Sequence, residues 1–453
     1  MPRFNPYSCI LTHSTDGSHR ALMRLGYNFL IHIEAIWEGT LIVDFENTLQ
    51  KYADLIVQVG LNLRAGQKLL VRAPIQAAAL VRLVTASAYR AGACFVDVLY
   101  SDEEITLARY ENAPRDSFTE FPAYRAKVLE EYAANGDAMV SIYAENPDLL
   151  KGQDPNLIGI ATKTAATHGL PSSQLIARNN TNWLVVSIPI PSWAAKVFPG
   201  LSTEDQMAKL WNAIFEVTRL NQPDPVADWK EHVRQLGVRK EMLNRKHYAA
   251  LHYHAPGTDL TIGLPDGHIW YGGAVKSTNG ISFIPNMPTE EVFTMPHKDR
   301  VDGVISASLP LSYSGTLIEN FSLTFKDGKV VDYKAEKGGH ALKNLLEMDE
   351  GSVRLGEVAL VPHNSPIAQS KMMFFNTLFD ENAASHLALG RAYQFTMQGG
   401  EKMSEEQFAA AGGNTSLTHV DFMVGSDKMD IDAVTASGAV EPLMRGGNWV
   451  TPV

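Results

Sequence analysis

The apolar pattern of the chain changes character near residue 44 and again near residue 250. Over 45–61, Leu49, Tyr52, Ala53, Leu55, Ile56 and Val59 recur at helical spacing. Residues 68–71 then read as a short buried strand. Residues 76–89 read as a helix of Ala, Leu and Val, and 93–99 as a β-branched and aromatic strand. A strand–helix–strand run pairs its strands in parallel through a right-handed crossover. Further buried strands are predicted at 138–143 and 183–188, with helical stretches near 118–134 and 154–168. The first half therefore predicts an α/β sheet domain.

Residues 193–236 are mostly helical, interrupted at Asn221-Gln-Pro-Asp-Pro225. Beyond about 250, alternating strands with Gly turns are predicted at 258–264, 304–308, 322–325 and 329–333. Asp327-Gly328 between two alternating runs is a strong hairpin signal. The expected division is an N-terminal segment 1–43 with little periodicity, an α/β domain over 44–230, and an α+β domain over 231–453 rich in antiparallel strands.

Composition narrows the function. Apolar residues are 45% of the 453 and charged residues 20%, enough to build a large core without disulfides or a structural metal. The net charge of −11 argues against a nucleic-acid surface, which needs clustered Lys and Arg. Cys9 and Cys94 are the only cysteines, so a disulfide framework is excluded and a cytoplasmic location is expected. No run of 18 apolar residues predicts a membrane span, and no secretory leader is expected. The P-loop, the HExxH helix, the GxSxG elbow and a GxGxxG after the first strand are all missing.

Four pieces between 285 and 425 carry candidate chemistry. Pro285-Asn-Met-Pro-Thr-Glu290-Glu291-Val-Phe-Thr294 places two adjacent carboxylates ahead of a strand. On a regular strand adjacent residues face opposite ways, so one can ligate a metal while the other stands beside the site as a base. Leu355-Gly-Glu357-Val-Ala-Leu-Val361 sets a lone Glu in an apolar strand, in period with Leu355, Ala359 and Val361. A buried carboxylate there needs a partner or a metal. The run Asn382-Ala-Ala-Ser-His386-Leu-Ala-Leu-Gly-Arg-Ala-Tyr393 reads as a helix whose seven-residue spacing puts His386 and Tyr393 on one face. In Asn414-Thr-Ser-Leu-Thr-His419-Val-Asp421, strand spacing puts His419 and Asp421 side by side. Each piece alone also has a bland reading: a solvated strand start for Glu290-Glu291, a buried salt bridge for Glu357, a satisfied core histidine for His386 and a structural His–Asp hydrogen bond for His419 and Asp421. Together they supply oxygen and imidazole donors suited to Zn, Co or Mn. Six candidates exceed the three protein ligands of one catalytic zinc and fit two metals sharing a water, about 3.5–4 Å apart. No His follows His419, against the order of a two-His-one-carboxylate iron oxygenase. The Gly-Gly runs at 398–401 and 411–414 are candidate borders of a substrate entrance. His268 and His297 are candidates for nearby positions, and His252 and His254 read as strand histidines.

The runs NMPTEEVFT (286–294), LGEVALV (355–361), SHLALGRAY (385–393) and THVDFMVG (418–425), with LPDGHIWYGG (264–273), resemble the thermophilic-type metalloaminopeptidases of the M29 peptidase family, which includes aminopeptidases T, S and II. The likeness extends from about Asp44 to the C-terminus. It implies a two-domain, aminopeptidase T-like architecture and a homodimer. It also implies a dinuclear site in the C-terminal domain and exopeptidase action on peptides with a free N-terminus. Residue by residue it implies metal ligands at Glu291, Glu357, His386, His419 and Asp421, with Tyr393 at or beside the metals. By analogy with adjacent-Glu pairs in other dinuclear aminopeptidases, Glu290 is the expected general base. The family pattern begins near Val43, so an initiation site later than the recorded one is expected, and N-terminal sequencing of the natively expressed protein decides it. Two other readings stay open at this level: a dinuclear hydrolase of another amide or ester, and a non-catalytic dimeric binding protein.

Overall fold

The structure, a computed structural model, describes residues 45–451, and the 1–43 segment lies outside them. Helix α1 (Phe45–Leu55) buries Leu49, Tyr52, Ala53 and Leu55, then continues as a π-helical turn over Ile56–Gly60. Strand β1 (Lys68–Pro74), helix α2 (Ala78–Arg90) and strand β2 (Phe95–Ser101) follow, then α3 (Glu103–Asn112) and α4 (Ala123–Asn135). Next come β3 (Ala138–Tyr143), α5 (Pro155–Ala177) and β4 (Trp183–Ser187). The four strands form one parallel sheet in the order β2-β1-β3-β4. Near-continuous apolar runs, Leu69–Val71 in β1 and Ala138–Val140 in β3, suit strands covered on both faces.

Helices α6 (Pro191–Val197), α7 (Thr203–Val217) and α8 (Pro225–Lys246) lead into the second half. The break expected at 221–225 is real and has a local cause. Asp224 accepts a hydrogen bond from the Ala227 amide at 3.0 Å, and Pro225 takes the first helical position, so α8 starts there. The 230/231 division falls inside this helix. From Glu46 onward the chain packs as one compact unit.

Among the described residues the second half contributes sixteen strands, all antiparallel in their pairing. They are β5 (Ala250–Ala255), β6 (Thr258–Gly263), β7 (Tyr271–Gly272), β8 (Val275–Lys276), β9 (Ser282–Phe283), β10 (Val292–Thr294), β11 (Val301–Ser306) and β12 (Leu311–Tyr313). Then come β13 (Thr316–Lys326), β14 (Lys329–Lys337), β15 (Leu355–Leu360), β16 (His386–Gly390), β17 (His419–Met423), β18 (Asp430–Val434), β19 (Val440–Arg445) and β20 (Asn448–Trp449). Positive φ at Asp327 (50°) and Gly328 (77°) turns β13 back into β14, the hairpin that Asp-Gly predicted.

Two of these sheets matter for the site. A nine-stranded sheet, with β14 joined to the path β12-β13-β11-β6-β5-β18-β19-β20, faces a five-stranded sheet of order β17-β16-β15-β10-β7. One apolar cluster joins them. It takes Leu251, Leu260, Ile262, Ile305, Leu323 and Ile431 from the first sheet and Val292, Val358, Leu387, Leu389 and Phe422 from the second. Because side chains alternate along a strand, the residues between these point out of the other face of the five-stranded sheet. That outer face carries Phe293, Ala359, Glu357, His386, Asp421 and His419. The α/β half followed by an antiparallel half matches the expected fold class.

Two local expectations are overturned. The stretch 382–393 is not helical. His386–Gly390 is a fully buried strand between two others, preceded by a 3-10 turn at Glu381–Ala383 and followed by one at Gln394–Thr396. Its small and apolar residues fit a two-sided buried strand as well as a helix, and periodicity alone does not separate the two. The second correction concerns Glu357, which shares a face with Ala359 but not with Leu355. A bulge at Gly356 shifts the register, pairing Leu355 with Leu389 but Glu357 with Ala388. A side chain at 356 would run into the carbonyls of Gly390 and Arg391, so the bulge requires glycine.

Candidate metal centre

The outer face of the five-stranded sheet is built as rows of one reactive residue against one small residue. Ala388 stands opposite both Glu357 and Asp421, Ala359 opposite His386, and Gly390 opposite His419. Two strand spacings separate the Glu357 and Asp421 backbones, about 10 Å. The two side chains converge over Ala388, which is too short to fill the gap. Gly390 has a φ of 103°, and a Cβ there would meet the Thr418 carbonyl, so glycine is needed beneath His419. Glu291 precedes Phe293 by two residues and reaches the same face from the end of β10.

The resulting cluster is tight. His386 Nε2 lies 3.0 Å from Glu291 Oε2 and 3.5 Å from Glu357 Oε1. His419 Nε2 lies 3.7 Å from Glu357 Oε2 and 3.4 Å from Asp421 Oδ1. The donors fall into two triads, Glu291–Glu357–His386 and Glu357–His419–Asp421, each with its ligand atoms within 4.8 Å of one another. Glu357 belongs to both.

The fit to metal rests on hydrogen-bonding chemistry. Glu291 Oε2 and Asp421 Oδ1 are buried and accept no hydrogen bond; the neighbouring imidazoles are close but poorly aligned. Orphaned buried carboxylate oxygens are costly, and a cation between them removes the cost. Each imidazole is also oriented from behind. His386 Nδ1 lies 3.1 Å from the Ala384 carbonyl and His419 Nδ1 2.6 Å from the Arg391 carbonyl. An Nδ1–H donated to a carbonyl leaves the Nε2 lone pair for a metal, the usual arrangement of a ligating histidine.

Without a cation the cluster holds protons. Burial disfavours the charged imidazole of His386, yet the carboxylates of Glu291 and Glu357 raise its pKa well above the ordinary 6.5. Burial acts likewise on His419, and the charges of Asp421 and Glu357 outweigh it, lifting its pKa to about 9. Burial pushes Glu357 up to about 7. Burial would also raise Asp421, but the His419 charge beside it leaves it below its usual value.

The triads form the polar wall of a pocket that opens to solvent. The remaining lining includes Trp183, Phe293, Tyr393, Phe395, Asn286 and Glu381. Tyr393 reaches the cavity by a chain turn after β16, not along a helix face, and its ring lies 4.7 Å from that of His419. Burial holds its hydroxyl well above the ordinary pKa. Trp183 comes from the first-half sheet. The 285–287 segment pairs along β4, with Val185 N donating to Pro285 O at 2.7 Å and Met287 N to Val185 O at 3.0 Å. That pairing brings Trp183 beside Tyr393, centroids 6.4 Å apart.

Of the expected site residues, Glu291, Glu357, His386, Tyr393, His419 and Asp421 meet in this cavity. Glu290 is set outside it. It faces away from Glu291, as strand alternation requires, and its Oε1 accepts from Arg219 Nη2 at 2.6 Å. Its Oε2 lies 3.6 Å from His232 Nε2, which is 2.7 Å from the Thr289 carbonyl. The residue expected to be the base is thus held in a buried ion pair between α7 and α8. His268 and His297 are not among the lining residues, and neither Gly-Gly run borders the cavity. His252 pairs with Asp259 at 2.7 Å on the β5–β6 hairpin.

Three contributors were not anticipated. Glu381 stands between Asp380 and Asn382, so it lacks the lone-carboxylate signal that singled out Glu357. Arg219 and Trp183 carry no local signal, because only the packing of the two halves brings them here.

Comparison with known proteins agrees with the cavity's chemistry. The chain is 50% identical over 405 residues to Aminopeptidase 2 of Geobacillus stearothermophilus, covering 89% of this chain and 98% of that one. It is 45% identical over 406 residues to Aminopeptidase T of Thermus thermophilus, covering 90% and 99%. The solved structure of wild-type AmpT from Thermus thermophilus superposes with a TM-score of 0.81 at 44% identity, covering 90% of this chain and all of that one. The family model described as thermophilic metalloprotease (M29) matches residues 45–449, and the chain belongs to that family.

Proposed function

We propose that the protein is a dinuclear metalloaminopeptidase that removes the first residue from peptides with a free N-terminus. The observation that carries this reading is the pair of triads sharing Glu357, with the orphaned oxygens of Glu291 and Asp421 at either end. Glu291, Glu357 and His386 would hold one divalent ion, and Glu357, His419 and Asp421 the other. Two imidazoles and three carboxylates suit Zn, Co or Mn. Such ions, when bound, acidify a water and polarise a carbonyl.

The chain's own groups do the rest. The Nδ1 contacts of both histidines fix the rings. The Tyr393 hydroxyl, kept protonated by burial, donates to the oxyanion that develops on the scissile carbonyl. Trp183, Phe293 and Phe395 form the apolar wall against which the substrate lies. The same reading includes a homodimer, a cytoplasmic location and a division into 44–230 and 231–453. The resemblance supports the dimer, and the separation of the parallel sheet from the antiparallel ones supports two halves, although the 230/231 boundary falls within α8. No helix among the described residues is long and apolar enough to cross a membrane.

The test is metal content together with hydrolysis of a leucyl anilide and its N-acetylated counterpart, before and after chelation. Two metals per chain and chelator-sensitive cleavage of the free-amine substrate alone are expected. Equal cleavage of the acetylated substrate would make the protein a hydrolase of another class. A metal-free, folded and inactive protein would make it a binding protein.

Glu290 is expected to act on stability and not on chemistry. Glu290→Gln leaves Arg219 without its counter-charge in a largely buried setting, at a cost of about 3 kcal/mol. The folded, metal-replete variant is expected to keep kcat within about tenfold, far from the 10²–10⁴-fold typical of losing a general base. Thermal melting and steady-state kinetics check this; a loss of kcat at unchanged Tm would return the base role to Glu290.

A further inference from the structure

With Glu290 turned to Arg219, hydrolysis in this cavity lacks a group to carry the proton from water to the leaving nitrogen. We propose that Glu381 is that group. The inference rests on the peptidase reading above and adds a catalytic residue to it.

Glu381 is a fourth carboxylate lining the cavity beside Glu291, Glu357 and Asp421, and it is buried. It joins neither triad, so it stands next to the ligand atoms without being one of them. Its two oxygens are treated differently. Oε1 accepts from Asn286 Nδ2 at 3.0 Å and from Asn382 Nδ2 at 3.4 Å. Oε2 makes no hydrogen bond among the described residues and is left for the cavity. A carboxylate fixed through one oxygen and open at the other has the form a proton carrier needs.

The anchor is itself rigid. Asn382 donates to the Leu378 carbonyl at 2.9 Å, and its Oδ1 accepts from the Glu290 amide at 2.7 Å. Asn286 lies on the segment paired with β4, where the first-half sheet meets the cavity. Glu381 is thus held from both sides of the pocket, by the turn before β16 and by the segment leading to Glu291. Pre-set orientation of this kind lets a group act without reorganisation during the reaction.

The step balances with water as the only co-reactant. The water oxygen bonds to the scissile carbonyl carbon as one water proton passes to Glu381 Oε2. The carbon–nitrogen bond then breaks, and that proton passes to the departing nitrogen, giving the amine. The second water proton leaves from the new carboxyl group, and Glu381 returns to its starting ionisation.

The experiment compares metal-loaded full-length protein with Glu381→Gln, reading metal content, Tm, KM and kcat on a leucyl anilide. Two metals per chain, an unchanged KM and a kcat lower by about 10²–10⁴-fold are expected. A kcat near the wild-type value overturns the proposal. So does loss of a metal equivalent, which would make Glu381 a ligand. A raised KM at normal kcat also overturns it, because Glu381 would then be an anchor for the substrate amine. If the Gln variant does not fold, Glu381→Asp carries the test: folded and metal-replete with kcat down at least tenfold supports the role, and wild-type kcat overturns it. Inactivity of the wild-type holoprotein in the same assay would instead sink the peptidase reading itself.

Discussion

Glu357→Ala is expected to release both metal ions together and to abolish turnover. Its Oε1 lies 3.5 Å from His386 Nε2 and its Oε2 3.7 Å from His419 Nε2, so one carboxylate serves both triads. Removing it leaves Glu291 with His386 on one side and His419 with Asp421 on the other. Two protein donors fall short of the three that hold a catalytic zinc. The loss in kcat/KM should exceed the 10–100-fold that follows from losing an outer-shell partner. Asp421→Ala and Glu291→Ala remove one arm each and are expected to lose one equivalent first. Metal content of the three variants after dialysis against a graded chelator separates the cases. If Glu357→Ala retained one tightly held ion, the shared-ligand geometry would be wrong.

That geometry was partly legible in the sequence. His419 and Asp421 sit two apart in an alternating run, and β17 places both on one face as period two requires. Glu357 declared itself because an apolar strand does not tolerate an unpartnered carboxylate. What the pattern hid was the bulge at Gly356. Without it Glu357 would share the face of Leu355 and point into the core between the sheets. His386 was assigned to the cavity by resemblance but to the wrong element by periodicity, because a strand buried on both faces has no period of its own. The segment bridging β15 and β16 hid most. Glu381 and Asn382 take their places from a 3-10 turn after α9 (Pro366–Gln369) and α10 (Thr377–Asp380), and local spacing does not encode that turn.

The structure sets Glu290 apart from the cavity for a physical reason. Adjacent carboxylates do divide into a ligand and a neighbour, as alternation dictates. Which environment receives the neighbour depends on the other half of the chain. Arg219, in a left-handed conformation at φ 60°, turns its guanidinium onto Glu290, over the ring of Trp229. His232 closes the far side. The carboxylate thereby ties α7 and α8 to the segment carrying Glu291.

The second large effect expected is on the metal-free protein, whose stability should fall as pH rises from about 6.5 to about 9. His386 and His419 both have folded-state pKa values above the ordinary 6.5, His419 at about 9. A raised histidine pKa contributes stability that is fully present below the unfolded value and is lost as pH climbs through the folded one. Glu357, raised to about 7 from 4.5, acts in the same direction over a lower range. The groups facing these imidazoles are Glu291, Glu357, Asp421 and Glu381, and among the described residues the main charges acting on this cluster are these carboxylates and the imidazoles themselves. Asp421, with its lowered pKa, titrates below this window and does not alter the sign. At about 1.4 kcal/mol per pKa unit, His419 alone accounts for about 3 kcal/mol. Metal binding requires the same imidazoles to be neutral, so affinity rises over the range in which the apoprotein weakens, and binding expels protons. The gap in Tm between apo- and holoprotein should therefore widen from pH 6.5 to 9. Metal titrations in buffers of different ionisation enthalpy should show proton release at pH 7. An apoprotein whose Tm rises across this range, or binding heats independent of buffer, would mean that the two histidines do not carry protons in the empty cluster.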